Sequence, residues 1–364
     1  MFRKERAGRG MLSTLLFESK GVIGIDIGTS SVKILEIQES KKNFYLKNFG
    51  IAKVPRETVV NGMVINADPV IEAIREIISR RNIKTKNVVL SISGHPVIVK
   101  KIGLPVMSDE QLEESIPFEV QQYIPFALEE VNLDFQILGP SEDKRDQMSV
   151  MLVAAKKAMI NEYLNLISTA GLNTVVVDID VFALENMFEF NYPTELDKNV
   201  ALIDIGASVI NINVLRGGIS AFTRDVFIGG YQITEDIQRQ MNVTYDQAEN
   251  LKLGKEAEGV SQETVKSLVQ KNSLSIIGEI QRSLDFFSSQ TSHDVNKIYL
   301  GGGVMKTPQL INLIQERTGI PTESVDPLKS IRSDKDDFDP DYLKEMSPFM
   351  AVGVGLALRR AGDK

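Results

Sequence analysis

The chain has 364 residues and no cysteine, which excludes disulfides, thiolate nucleophiles and thiolate metal sites while leaving the redox compartment open. Its two histidines, His95 and His293, lie far apart in different expected elements, which argues against an imidazole-based metal site. No apolar run approaches the ~20 residues that cross a bilayer, and the longest candidate, 350–358, is broken by Gly353 and Gly355. Basic charge is not in excess: the net charge is -8 at pH 7, which disfavours nucleic acid as a partner. There is no G-x-x-x-x-G-K-S/T phosphate loop and no G-x-G-x-x-G dinucleotide turn. With 43% hydrophobic and 25% charged residues, the composition is that of a soluble chain able to bury more than one core.

One motif is present twice. Val22-Ile23-Gly24-Ile25-Asp26-Ile27-Gly28-Thr29-Ser30-Ser31 is echoed by Val200-Ala201-Leu202-Ile203-Asp204-Ile205-Gly206-Ala207-Ser208. In each copy a β-branched strand ends in Asp, a Gly permits a tight turn, and small residues lead into a second strand. Such a turn exposes backbone N–H groups to an anion, and the carboxylate at the strand end suits Mg²⁺ held through its water shell. Asp26 and Asp204 are therefore the candidate metal-side carboxylates, and Gly28–Ser31 with Gly206, Ala207 and Ser208 the candidate phosphate cradles. Lys33 is either a phosphate-reaching lysine or a solvent-facing strand lysine. A third element follows: a strand at 297–300, the turn Gly301-Gly302-Gly303 continuing into Val304 and Met305, and a helix expected to be capped by Thr307-Pro308 and to end near Gly319.

The pattern predicts α/β organisation in five parts. Residues 1–20 form an N-terminal arm, whose Arg3, Lys4, Arg6 and Arg9 precede an apolar stretch, leaving open a frayed arm or a contact with anionic lipid. A first lobe comprises 21–87, 172–198 and 345–364. Residues 88–171 form an inserted subdomain reading β-β-α-β-β-α, with its first strand at 88–93 and a helix through Tyr123. A second lobe comprises 199–230 and 270–344, with a long helix expected from 272 to 289. Its helical subdomain is 231–269. Asn211 and Asn213, alternating with Ile210, Ile212 and Val214, predict a half-buried strand. The acidic run 333–341 lacks the Gly and Glu of a calcium loop and is expected to be a solvated loop.

Two phosphate turns followed by a glycine-rich turn resemble the actin-like ATPase superfamily, which implies two lobes around a cleft that binds ATP with Mg²⁺. The resemblance assigns Gly301 to Met305 to the adenosine side and Gly229-Gly230 to a turn touching phosphate. It assigns Glu249 to the ribose and the Lys252 stem to the adenine face, the alternative being an i, i+3 ion pair. It points to Asp180 as the residue that positions water, the alternative being a helix cap. A short carboxylate there implies slow hydrolysis at most.

The stretches Leu104-Pro105-Val106-Met107-Ser108-Asp109-Glu110-Gln111-Leu112 and Glu119-Val120-Gln121-Gln122-Tyr123-Ile124-Pro125-Phe126 narrow the choice. They are similar to the PilM family of type IV pilus assembly proteins. Pro117-Phe118 departs from the Arg-Trp pair usual there and puts the start of that helix in question. The resemblance implies an ATP-binding adaptor at the cytoplasmic face of the inner membrane. Its partner would be the N-terminal cytoplasmic peptide of the membrane protein PilN, with other pilus components and self-association as further partners. Tyr123, Ile124 and Phe126 are candidate peptide contacts or residues packing the subdomain against its neighbour. The chain is expected to lack the membrane helix of the related FtsA. A filament protein like FtsA or MreB and a small-molecule kinase are the alternative readings.

Overall fold

The computed structural model describes residues 21–141, 144, 146–333, 337–360 and 362–363. The expected arm 1–20 and the centre of the acidic run, 334–336, lie outside the described residues. The chain opens with a meander of β1 (Val22–Ile27), β2 (Ser31–Ser40) and β3 (Asn43–Lys53), followed by the small hairpin β4 (Val59–Val60) and β5 (Met63–Val64). Asn66 caps α1 (Ala67–Arg80), whose Val70, Ile71, Ala73, Ile74 and Ile77 recur at helical spacing and are buried against the sheet. Then come β6 (Asn87–Ile92), β7 (Val97–Pro105), α2 (Asp109–Glu119), β8 (Val131–Pro140), β9 (Gln147–Lys156), α3 (Lys157–Thr169), β10 (Asn173–Ile179) and α4 (Asp180–Asn191).

The second half repeats the theme. It runs β11 (Val200–Ile205), β12 (Ile210–Arg216), β13 (Ile219–Val226), α5 (Gly230–Met241), α6 (Tyr245–Lys252), α7 (Gln262–Thr291), β14 (Lys297–Gly301), α8 (Leu310–Thr318) and β15 (Thr322–Ser324). The chain closes with β16 (Ile331–Ser333), α9 (Pro340–Met346) and α10 (Ala351–Ala357). The first sheet has the order β10-β6-β1-β2-β3-β16 and the second β13-β12-β11-β14-β15. In both, the Asp-x-Gly strand has an antiparallel hairpin partner on one side and a parallel strand on the other.

Elements 87–169 come in the expected order, but they do not form one unit. β6 pairs in parallel with both β1 and β10, so the expected first strand of the subdomain is a central strand of the first sheet. α3 also belongs there: Met159, Tyr163, Leu166 and Ile167 join the first-lobe core, and the Tyr163 hydroxyl donates to Gly62 O at 2.8 Å. The separate unit is 97–156, a three-stranded sheet β7-β9-β8 covered by α2. β9 serves both sides by its period of two. Val150, Leu152 and Ala154 face the subdomain's own core, while Met151, Val153 and Ala155 face the first lobe.

Four other expectations are corrected. α7 is one helix of 30 residues, so the boundary expected at 269/270 falls inside it. β16, expected in the second lobe, pairs with β3 at the edge of the first sheet. Thr307 does not cap a helix: Gly303–Lys306 form a 3-10 turn, and α8 starts after Gln309 with Gly319 at its left-handed end. Asn211 and Asn213 are buried, because the helices that pack on β12 cover both its faces; Asn213 Nδ2 donates to Val181 O at 2.8 Å. Pro117 leaves the start of α2 unshifted. A reciprocal Ser108–Gln111 capping box sets that start, and the proline sits near the helix C-terminus.

The lobes share a core in which α10 packs against α4 and β1. A Cβ on Gly355 would lie 1.8 Å from Ala183 O, and one on Gly353 would lie 2.3 Å from Leu35 Cδ1. Gly355→Ala is expected to cost about 3 kcal/mol, since helix and carbonyl cannot both stay in place. Gly278→Ala in α7 meets nothing closer than Arg282 Nη1 at 3.6 Å and should gain about 0.5–1 kcal/mol. Urea unfolding of both variants checks the contrast.

Candidate functional site

The two Asp-x-Gly turns are built alike. Gly28 N–H donates to Ser31 O at 3.0 Å and Gly206 N–H to Val209 O at 2.9 Å. In register, Asp26 stands opposite Lys33 and Asp204 opposite Asn211. The turns meet tip to tip, with Thr29 Oγ1 and Ser208 Oγ 2.6 Å apart. The glycine turn after β14 closes the third side. Gly302 has φ +89°, and a Cβ on it would lie 2.4 Å from Ile205 O; one on Gly301 would lie 2.9 Å from Asp204 Oδ1. Gly303 approaches Phe349, Val304 is buried against Gly230, and Met305 is half-buried. The three motifs therefore enclose one cleft.

Charge in the cleft is unbalanced. Lys33 Nζ pairs with Asp26 Oδ2 at 2.7 Å, both side chains only 14% exposed, so Lys33 is not a solvent-facing lysine. Burial opposes its charge, but Asp26, with help from Asp204 and Asp180, outweighs burial and raises its pKa. Burial, with repulsion from Asp26 and Asp180 and against the pull of Lys33, pushes Asp204 up to about 7. Burial and Asp26 likewise push Asp180 up to about 6, against hydrogen bonds from Ser91 and Ser93. Asp180 is the first residue of α4, yet it does not cap that helix; it accepts from Ser91 Oγ at 2.5 Å. One ammonium thus faces three carboxylates, an excess that protons or a cation would neutralise. Among the described residues no three acidic or imidazole groups converge to enclose a bare ion. The donor set fits a hydrated cation on Asp26 and Asp204, and Gly28 and Gly206 leave both turns without a Cβ beside their own carbonyls.

Two expected contacts are arranged differently. Gly230 N–H donates to Gly206 O at 3.0 Å and Tyr231 N–H to Ala207 O at 2.8 Å. The Gly230 and Tyr231 N–H groups therefore brace the second cradle rather than facing an anion, and a Cβ on Gly229 would lie 2.5 Å from Gly206 O. Lys252 is buried and donates to Glu249 Oε2 at 2.7 Å and to Thr234 Oγ1 at 3.0 Å, while Thr234 donates to the same carboxylate at 2.7 Å. Burial lowers the Lys252 pKa against the pull of Glu249. Its stem has too little open surface to cover a base. Its ammonium faces Gly230, where a Cβ would lie 3.4 Å away.

Sequence reasoning missed Ser91, Thr234 and Asp225. Asp225 accepts from Asn211 Nδ2 at 2.8 Å and from Gly94 N–H at 3.0 Å, joining the second sheet to the β6–β7 turn. The hydroxyls of Ser91 and Ser93 at a strand end, just before Gly94, were the available signal. Near Asp225 lies a cavity of about 270 Å³ lined by Val97, Ile98 and Val99 of β7, Ile179 and Val181, and Phe227 stacked on His95. β7 and β13 are edge strands of their sheets there. Ile124 belongs to the subdomain's own core, with Tyr123 and Phe126 packed against it and Lys156 over the Phe126 ring. β6 is flanked on both sides and has no edge to offer a peptide.

The family model for type IV pilus assembly protein PilM matches residues 24–361. A solved PilM-PilN type IV pilus biogenesis complex has a chain 29% identical, with a TM-score of 0.84, covering 94% of this chain and 98% of that one. The cell division protein FtsA of Bacillus subtilis is 24% identical over 255 residues, 63% of this chain and 57% of its own length, so the match takes in little more than half of that relative. MreB5 of Spiroplasma citri bound to AMPPNP, 14% identical with a TM-score of 0.52 over 93% of this chain and 95% of that one, shares the fold. The architecture is the actin-like fold.

The cleft acids predict a pH dependence. Unfolded carboxylates titrate near ~4, so between there and about 7 Asp180 and Asp204 hold more protons in the folded chain than in the unfolded one. Their contribution to stability therefore falls as pH rises through this window and levels off above it. Asp204→Asn should raise the melting temperature at pH 8 by about 3 °C and change it little at pH 4.5. Calorimetry at both pH values is the check, and a loss at pH 8 would contradict a costly buried charge.

Proposed function

The chain belongs to the type IV pilus assembly protein PilM family, and from that premise we propose an ATP-binding adaptor held at the inner membrane by the N-terminal cytoplasmic peptide of a PilN-like protein. The observation that carries the nucleotide half is the meeting of Gly28–Ser31, Gly206–Ser208 and Gly301–Met305 around one cleft with excess carboxylate. Mg²⁺-ATP would supply the phosphate anion and the cation that balances these acids. Backbone N–H groups of the two turns and Lys33 would hold the phosphates, Asp26 and Asp204 the cation's water shell, and Glu249 the ribose. Asp180, tethered by Ser91, orients water. A single tethered short carboxylate supports turnover well below the ~10 s⁻¹ typical of enzymes.

Likeness to a PilM chain from a complex with PilN supports the peptide half. The peptide site we favour is the cavity between the edges of β7 and β13, where an extended segment can pair its backbone and place apolar side chains against Ile98, Val181 and Phe227.

Mg²⁺-ATP at about 100 times its Kd should stabilise the parent by about 2.7 kcal/mol and leave Gly206→Val unshifted in a thermal-shift assay. A shift equal to the parent's would place the nucleotide elsewhere.

A peptide copying the cytoplasmic N-terminus of a PilN-like protein should bind 1:1 by titration calorimetry. Ile98→Glu and Phe227→Ala should each weaken it about tenfold or more while keeping the nucleotide shift. Undiminished binding by both variants would exclude this cavity.

A further inference from the structure

Arg56 lies in the loop after β3, which is tied to the first cradle by Val54 N–H donating to Ser30 O at 3.1 Å. Its guanidinium crosses the cleft. The guanidinium carbon stands 5.4 Å from the centroid of Tyr231 and 4.7 Å from that of Tyr245, and Nη2 donates to Glu235. The two rings meet edge to face with centroids 6.0 Å apart. Tyr231 directly follows Gly230 in α5, and Tyr245 opens α6 one helical turn before Glu249. The Tyr231 hydroxyl also donates to Thr29 O at 3.3 Å. One first-lobe side chain thus engages both second-lobe helices that carry candidate nucleotide contacts.

We propose that Arg56, Tyr231, Tyr245 and Glu235 form a clasp that holds the lobes closed and sets the rate at which nucleotide leaves the cleft. The kinetic consequence rests on the nucleotide reading; the closure does not. Arg56 and Glu235 are each about half exposed, 43% and 48%, so their ion pair alone is weak and screened by salt. Stacking of a planar cation against two aromatic faces is less sensitive to salt, and one side chain carries all three contacts, so they break together. Losing that side chain removes three contacts between the lobes at once and loosens a closure otherwise left to the Thr29–Ser208, Gly94–Asp225 and Asn213–Val181 contacts.

Two measurements test the clasp. The chain has no cysteine, so spin labels at Lys47→Cys and Gln240→Cys, exposed positions on β3 and α5, are the only labels present. Double electron–electron resonance should give one narrow distance in the parent and a longer, broader distribution in Arg56→Ala. Stopped-flow displacement of a fluorescent ATP analogue should show release about fivefold faster in Arg56→Ala. Arg56→Lys, which keeps the charge and loses the planar stack, should fall between them. Identical distance distributions in parent and Arg56→Ala would overturn the clasp, as would unchanged release. If the parent bound no analogue, the ATP reading would fall, and the distance measurement would still decide the clasp.

Discussion

The close approach of α10 to α4 and β1 is the constraint on which the rest of the molecule depends. Gly24, Gly353 and Gly355 bring no Cβ of their own to the joint, and a Cβ on Gly24 would lie 2.6 Å from Gly353 O. The two helices fill the space between the sheets, and their apolar residues share one core with Leu35, Val200, Leu202 and Tyr299. Both Asp-x-Gly strands are thereby positioned from a common centre. The third turn is tied to the same place, because Gly302 N–H donates to Pro348 O at 2.8 Å, just before α10 begins. Asp180 opens the helix that α10 packs on. A shift of this joint would move all three walls of the cleft at once, so the backbone cradle is pre-organised by packing some distance away from it.

That rigidity explains how the cleft tolerates its own electrostatics. Buried carboxylates in excess of cations destabilise a fold; Asp26 neutralises the buried Lys33, whereas Asp180 and Asp204 have no cation of their own. Outside the cleft, Asp178 has a cation beside it, although burial still raises its pKa. Asp178 lies 3.5 Å from Arg359 and also accepts from Asn186 Nδ2 and the Ile179 N–H. Asp178 thus has a guanidinium of its own, whereas Asp26, Asp180 and Asp204 share one ammonium.

Local chemistry was legible in the sequence and partner choice was not. The Asp-x-Gly turns, the glycine turn and the order of strands and helices follow from residues within a few positions of one another. Whether β6 pairs with β7 or with β1 and β10 depends on contacts 65 to 87 residues away, which a strand's own alternation does not encode. The burial of Asn211 and Asn213 has the same origin: their polar pattern implies an exposed face, but Asp225, Ser220 and Val181 O satisfy them inside. Lys252 reads as a surface lysine for want of any local sign that Thr234, 18 residues earlier, would accept its proton. The start of α8 was misplaced because Gln309 adopts a left-handed conformation that its residue type does not advertise.

Duplication also left the two half-sites unequal. Opposite Asp26 the first copy places Lys33, which neutralises the acid internally through a 2.7 Å ion pair. Opposite Asp204 the second copy places Asn211, whose amide is turned toward Asp225 and brings no positive charge. The first copy is therefore nearly self-balanced, whereas Asp204 relies on a neighbour's lysine from across the cleft and keeps its proton to about pH 7. Any cation that enters gains most by discharging Asp204, since that is where the field is least compensated. Asp204 also touches Gly301, the first residue of the third turn, so the place that most needs a counter-charge is where the second sheet and the glycine turn converge. The symmetric fold thus carries an asymmetric charge map, with the uncompensated carboxylate in the second lobe and the lysine that balances its neighbour in the first.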